Sequence, residues 1–373
     1  MPHQLLGIGL TGKSLTDLER RILSETTPYA VVLFLRNVGS AEELRELVRE
    51  VKAIAKRPPL MMIDEEGGRV DRLRHLIPGL PSAEAFGEGA EPAEMAAWGG
   101  RVIGMALRWF DIEVDLAPVV DIRGDAEPKG LERRTFGDDA ETVVELAGAF
   151  MRGLHAGGTA SCLKHFPGIG TSSADSHYGT AIVDSSLDEI IARDLVPFAR
   201  LGNEAGAIMV GHGTYPQFAE EDLPATLSRR VATDLLRNET GFDGVAVSDD
   251  MEMHAVSDLG SYEMISERAL LAGNDVVMFA SHIERIPDVE AFLRRRKTES
   301  DEFRARYDQA CRRADRYREH VNAIRAAAAP LPDSFEAIVQ EAARFVEELT
   351  KTRPMREVVR TPGTGRTGRE EWT

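Results

Sequence analysis

Short apolar runs alternate with amphipathic stretches along most of this chain, and the fold class they predict is α/β: a (β/α)8, TIM-like barrel in a single domain with C-terminal helices. Two further observations support that reading. Several runs are apolar without alternation, as in parallel strands covered on both faces. Titratable residues gather just past four of the runs, and barrels carry their chemistry at the C-terminal ends of strands.

In chain order, the strands are expected at Leu5–Leu10, Ala30–Leu35, Leu60–Ile63, Glu113–Val120, Thr159–Leu163, Ala207–Val210, Val245–Ser248 and Asp275–Phe279. Amphipathic stretches at Ala41–Ala55, Ala93–Arg108, Thr142–Leu154, Leu187–Leu201 and Ser261–Ala272 are expected to be the covering helices. After Phe279 the pattern is wholly helical. Phe303, Tyr307, Ala310, Ala314, Tyr317 and Val321 recur every three or four residues, and Glu336–Leu349 repeats the design. Such stripes pack on the outside of the barrel or, failing that, form a dimer seam. From Lys351 the chain turns polar, with Pro354 and Pro362, so residues 1–350 are read as the barrel domain and 351–373 as a flexible tail.

Composition narrows the function. The 373 residues include 45 basic and 62 acidic side chains, a net charge of −17, which disfavours nucleic acid and anionic membrane as partners. Two cysteines, Cys162 and Cys311, lie in apolar or helical runs and imply no disulfide framework. No charged segment followed by an apolar stretch opens the chain, and no run could span a bilayer. The expected location is the cytoplasm, as a monomer or weak homodimer.

The richest segment is Lys164 to His177, where Lys164, His165, Asp175 and His177 surround the Gly168 and Gly170 hinges. Asp175 is two residues from His177, so a turn lets the carboxylate orient the imidazole. An imidazole titrates near neutrality and can both donate and accept a proton at working pH. Asp249 leaves the run Val245–Ser248 first, and a carboxylate there serves as nucleophile, general base or metal ligand; Asp250 reads better as a cap on the next helix. Asp64 and Arg72 bracket a Glu-Glu-Gly-Gly-Arg-Val-Asp turn, and Arg134 comes after the fourth run. Carboxylates that accept and cations that donate hydrogen bonds can hold a polyhydroxylated ligand. Serine-hydrolase chemistry lacks its Gly-x-Ser-x-Gly elbow. Metal hydrolysis through His165, His177, His212 and Asp249 lacks a His-x-His pair or His-Glu-x-x-His helix, so neither metal nor other cofactor is expected.

These motifs resemble glycoside hydrolase family 3, in particular its bacterial β-N-acetylglucosaminidases of the cytoplasmic cell-wall recycling type. The resemblance rests on Asp-x-Glu-Gly-Gly-Arg-Val-x-Arg at 64–72, Arg-Thr-Phe-Gly at 134–137, Lys-His-Phe-Pro-Gly-x-Gly at 164–170, Asp-Ser-His at 175–177 and Ser-Asp-Asp-Met at 248–251. It implies that Asp249 is the nucleophile of a retaining hydrolysis and that His177, polarised by Asp175, is the general acid/base. It also implies that Asp64, Arg72, Arg134, Lys164 and His165 bind the sugar, and that peptidoglycan-derived muropeptides are the substrates. Most glycosidases use two carboxylates, so a histidine acid/base departs from the common scheme. Ile169 stands where the family usually has His, which removes a polar group beside the Lys-His pair. Three alternatives remain open at this level: a phosphorylase, a β-glycosidase of other specificity, and a non-catalytic sugar-binding protein.

Overall fold

In the computed structural model, which describes residues 5–87, 91–124, 130–174, 181–219 and 223–351, parallel strands close into a ring. They are β1 (Leu6–Gly9), β2 (Ala30–Leu33), β3 (Leu60–Ile63), β4 (Val114–Asp115), β5 (Ala160–Ser161 and Leu163–Phe166), β6 (Ala207–Val210), β7 (Val245–Asp250) and β8 (Val276–Phe279). β1 pairs with both β2 and β8, and β7 with both β6 and β8. The two pieces of β5 flank Cys162. They reach β4 on one side and β6 on the other, with Cys162 N–H on Ala117 O and Val120 N–H on Lys164 O closing the seam. The expected barrel is therefore present, with eight strand positions.

A main helix follows each strand: α1 (Asp17–Glu25), α2 (Ala41–Ile54), α3 (Pro92–Trp109), α4 (Ala140–Gly157), α5 (Leu187–Glu189, the π-type turn Ile190–Asp194, and Leu195–Ala205), α6 (Arg230–Glu239, wound as a π-helix), α7 (Tyr262–Ala272, preceded by the single turn His254–Ser257) and α8 (Ile286–Glu299). Local chemistry starts several of them. Thr16 with Glu19 and Ser40 with Glu43 form reciprocal capping boxes that satisfy the first free N–H groups of α1 and α2. α3 and α4 pack unusually close. A Cβ on Gly100 would lie 2.1 Å from Phe150 O, and one on Gly153 would lie 2.1 Å from Ala97 O. Gly104 and Gly157 repeat the arrangement one turn on, so the absence of side chains lets the two backbones touch.

Two further helices complete the chain, α9 (Asp301–Ala327) and α10 (Phe335–Lys351). The stripe anticipated from Phe303 to Val321 is the buried face of α9. As expected, α9 packs on the outside of the barrel, where it lies across the N-terminal ends of the strands. Tyr29 Oη donates to Ala314 O and Tyr317 Oη to Ser161 O, while Arg318 reaches Pro58 O and Tyr29 O. Backbone groups at the starts of strands are thereby satisfied, and the floor is shut. α10 packs beside α3, where Trp98 Nε1 donates to Glu341 and Phe345 meets Trp98 edge-on. No helix of the described residues is long and apolar enough to cross a membrane. Of the expected tail from 351 onward, all but Lys351 lies outside the described residues.

Candidate active site

β4 is much shorter than the expected Glu113–Val120, spanning only Val114–Asp115, while two other strands run further than expected. β5 continues through Lys164 and His165, and β7 through Asp249 and Asp250, so these residues are on strands and not in the loops after them. Both stretches are bulged. Between Leu163 and Phe166 three steps oppose two on β6, and between Val247 and Asp250 three oppose two on β8. Successive side chains of a regular strand point to opposite faces, and a bulge re-aims one of them. Ser248 Oγ fills the interrupted ladder by accepting from Met278 N–H at 2.9 Å.

Lys164 is buried at 2% exposure and could not stay charged without compensation. Its Nζ lies 2.5 Å from Asp64 and 2.6 Å from Glu66. Glu66 is gripped from the other side by Arg134, with Nε and Nη2 each at 2.7 Å, the two-pronged geometry that suits a guanidinium. Burial alone would raise Glu66, but Arg134 and Lys164 outweigh it and hold the carboxyl far below the usual range. The same balance, burial opposed by Asp64 and Glu66, holds Lys164 above the ordinary lysine value. The result is a Lys–Asp–Glu–Arg chain of ion pairs along one wall of the rim.

His165 is fixed by Asp121, which sequence reasoning passed over. Asp121 Oδ2 accepts from His165 Nδ1 at 2.8 Å and from His165 N–H, while Oδ1 accepts from Ile169 N–H. This sets the tautomer and leaves Nε2 for a ligand. The signal was available: Asp121 ends an apolar run as Asp64 and Asp249 do. Glu66 was also missed as a site residue, although it lies inside the Asp64–Arg72 motif.

Asp249 sits on the facing side of the rim. Burial pushes its carboxyl up, but nearby His212 and His165, the Asp250 N–H bonded to Oδ1 at 2.8 Å, and Lys164 together hold it below the ordinary aspartate value. It is ionised at neutral pH, as a nucleophile must be. His212 Nε2 faces Asp250 O at 2.9 Å, which requires a proton on that nitrogen, and burial lowers the ring's affinity for a second. Asp250 caps backbone as expected, though not a helix: Oδ1 accepts from Glu252 N–H and Ala280 N–H, both at 3.1 Å. The Asp64–Arg72 strap closes the last side, and Arg72 Nε has no hydrogen-bond partner among the described residues. Asp175 and His177 lie outside the described residues.

A TIM-like barrel that gathers an ionised carboxylate, paired charges suited to hydroxyl groups and an oriented imidazole at its C-terminal rim defines a barrel enzyme equipped to hold a polyhydroxylated substrate. The particular family emerges from comparison with known proteins. The model of the glycosyl hydrolase family 3 N-terminal domain matches residues 4–313, and the chain belongs to that family. A beta-hexosaminidase of Stenotrophomonas maltophilia (strain R551-3) is 40% identical over 284 residues, covering 74% of this chain and 82% of the relative. A glycoside hydrolase family 3 beta-N-acetylglucosaminidase from Paenibacillus sp. str. FPU-7 superposes with a TM-score of 0.81 at 30% identity, over 92% of this chain and 67% of that one. NagZ from Neisseria gonorrhoeae, in complex with N-trifluoroacetyl-D-glucosamine, superposes with a TM-score of 0.74 at 28% identity, over 92% and 98% of the two chains.

Proposed function

We propose that this glycoside hydrolase is a retaining exo-β-N-acetylglucosaminidase that removes terminal, non-reducing N-acetyl-β-hexosaminides, with peptidoglycan-derived muropeptides as substrates and the cytoplasm as its place of work. The observation that carries the reading is the ionised Asp249 facing the Lys164–Asp64–Glu66–Arg134 wall. Its relatives' names, and the N-acetylated glucosamine analogue bound to the Neisseria protein, support the choice of sugar. Asp64, Arg72, Arg134, Lys164 and His165 hold the hydroxyls and the acetamido group.

In the first step His177, oriented by Asp175, gives its proton to the leaving oxygen while Asp249 attacks the anomeric carbon. The glycosidic bond breaks and a glycosyl ester forms on Asp249. In the second step His177 takes a proton from water, the water oxygen bonds the anomeric carbon, and the ester bond breaks. Two displacements give net retention.

The test compares an aryl N-acetyl-β-glucosaminide with the matching aryl β-glucoside, following the anomer first released by NMR. Fast release of β-N-acetylglucosamine from the acetamido substrate alone is expected. Preference for the glucoside, release of the α-anomer, or sugar 1-phosphate as product in phosphate buffer would each replace this reading.

A further inference from the structure

The strap that presents Asp64 and Arg72 is built over three acidic side chains that the reaction does not use. Glu65, Asp71 and Asp115 are 0%, 1% and 0% exposed. Glu65 Oε2 accepts the backbone N–H groups of Arg72 at 2.7 Å and Leu73 at 2.9 Å, so it closes the strap on itself. Asp71 Oδ2 accepts Leu80 N–H at 3.1 Å, and Asp115 Oδ1 accepts Glu65 N–H at 2.9 Å. Gly67 and Gly68, both at positive φ, make the bend, and Gly68 N–H bonds Leu80 O.

The remaining oxygens pose the problem. Glu65 Oε1 and Asp71 Oδ1 are buried with no hydrogen-bond partner among the described residues, and because Glu65 Oε2 holds the N–H groups of Arg72 and Leu73, the two carboxyls are neighbours that interact directly. Two carboxylates cannot bond unless one of them carries a proton. Two bare charges this close in a dry environment would repel strongly.

We infer that Glu65 and Asp71 share one proton, and that this acid pair is the positioning device that holds Arg72 and Asp64 in place for the sugar. The inference rests on the proposed roles of Asp64 and Arg72 as sugar ligands. The proton sits on Glu65 and is donated to Asp71. Burial, then the charges of Asp71 and Asp115, push the Glu65 carboxyl well above the usual range, and burial pushes Asp71 up against the hydrogen bonds from Glu65 and Leu80 and the pull of Arg74. Asp115 is itself pushed up by burial, with Lys164 pulling it down and Asp64 and Glu66 acting the other way. Removal of the shared proton at alkaline pH therefore sets charge against charge under the strap and loosens Arg72.

The experiment titrates N-acetylglucosamine into the full-length protein by calorimetry across pH, and records infrared spectra without ligand. In wild type, Kd rises by about tenfold per pH unit once the essential proton is lost. Glu65→Gln keeps the acceptor for Arg72 and Leu73 and supplies an amide donor to Asp71. Its Kd at neutral pH stays within about threefold of wild type, and its alkaline rise disappears. Glu65→Leu removes the acceptor, so its KM rises about tenfold or more while kcat changes little. In the wild-type minus Glu65→Gln difference spectrum at neutral pH, one protonated-carboxyl band remains.

Absence of that band overturns the shared proton. An unchanged alkaline rise in Glu65→Gln overturns the positioning role, and so does equal loss of kcat and KM in Glu65→Leu. Should Glu65→Leu not fold, the Gln variant and the infrared band decide the matter. Failure to bind N-acetylglucosamine at any pH refutes the assigned site and its positioning by the pair, whereas the infrared result still judges the proton.

Discussion

At the scale of single residues, the site is a set of charges that burial would neutralise if each stood alone. Asp249→Asn keeps the shape and removes the negative charge, so kcat/KM is expected to fall on the order of 10⁴-fold with Tm nearly unchanged, checked by aryl-glycoside kinetics and calorimetry. Asp250 makes a different prediction. Burial, then the charge of Glu252, pushes its carboxyl up from 3.8 to about 7. The folded state thus binds this proton more tightly than the unfolded chain does. The stability it contributes is complete below about pH 4 and is lost as pH rises through about 7. Asp250→Asn should flatten that part of the Tm-against-pH curve, and an unchanged slope would refute the assignment. Asp64, Lys164, His165 and Asp249 were legible as rim residues because reactive types came directly after apolar runs, and Arg134 because its Arg-Thr-Phe-Gly segment lies past the fourth run. Glu66 and Asp121 were not, since an acid that neutralises buried cations looks in sequence like one that faces water. Only the approach of β3, β4 and β5 makes the difference.

At the scale of elements, the strands were read from continuous apolar runs and the helices from their stripes, and both readings held wherever geometry was regular. They failed where it was not. The bulges in β5 and β7 break the pattern at Lys164, His165, Asp249 and Asp250, so the expected strands stopped short of them. The α3–α4 contact was equally hidden. Glycine weakens a helix by about 1 kcal/mol relative to alanine, so Gly100, Gly104, Gly153 and Gly157 argue locally against the helices they join. Their function becomes visible only when the two backbones meet. Gly153→Ala places a Cβ against Ala97 O and should destabilise the protein by about 1–3 kcal/mol through overpacking, read as a lower urea midpoint with an unaltered KM.

At the scale of the whole molecule, the barrel separates stability from chemistry between its two ends. The floor is sealed by α9 and by Asp275, which is fully buried and receives Arg237 Nη2 and Arg306 Nη2 at 2.8 Å each, with Arg313 3.6 Å away. Asp275→Asn takes the counter-charge from Arg237 and Arg306, Arg313 keeping Asp243 at 3.3 Å, and should cost about 3–5 kcal/mol, while the folded fraction keeps wild-type kcat. The periodic stripe of α9 foretold a buried face, but nothing in a single helix says which end of a barrel it will cover. The rim makes the stronger claim, that Asp249 on β7 attacks a sugar held by residues of β3 and β5. Incubation with a 2-fluoro-2-deoxy glycosyl donor, then proteolysis and mass spectrometry, tests it directly. The fluorosugar is expected as an ester on Asp249 in the Val245–Asp250 peptide, one label per chain. A label on any other residue, or steady hydrolysis of the donor with no adduct in the quenched enzyme, would contradict the account.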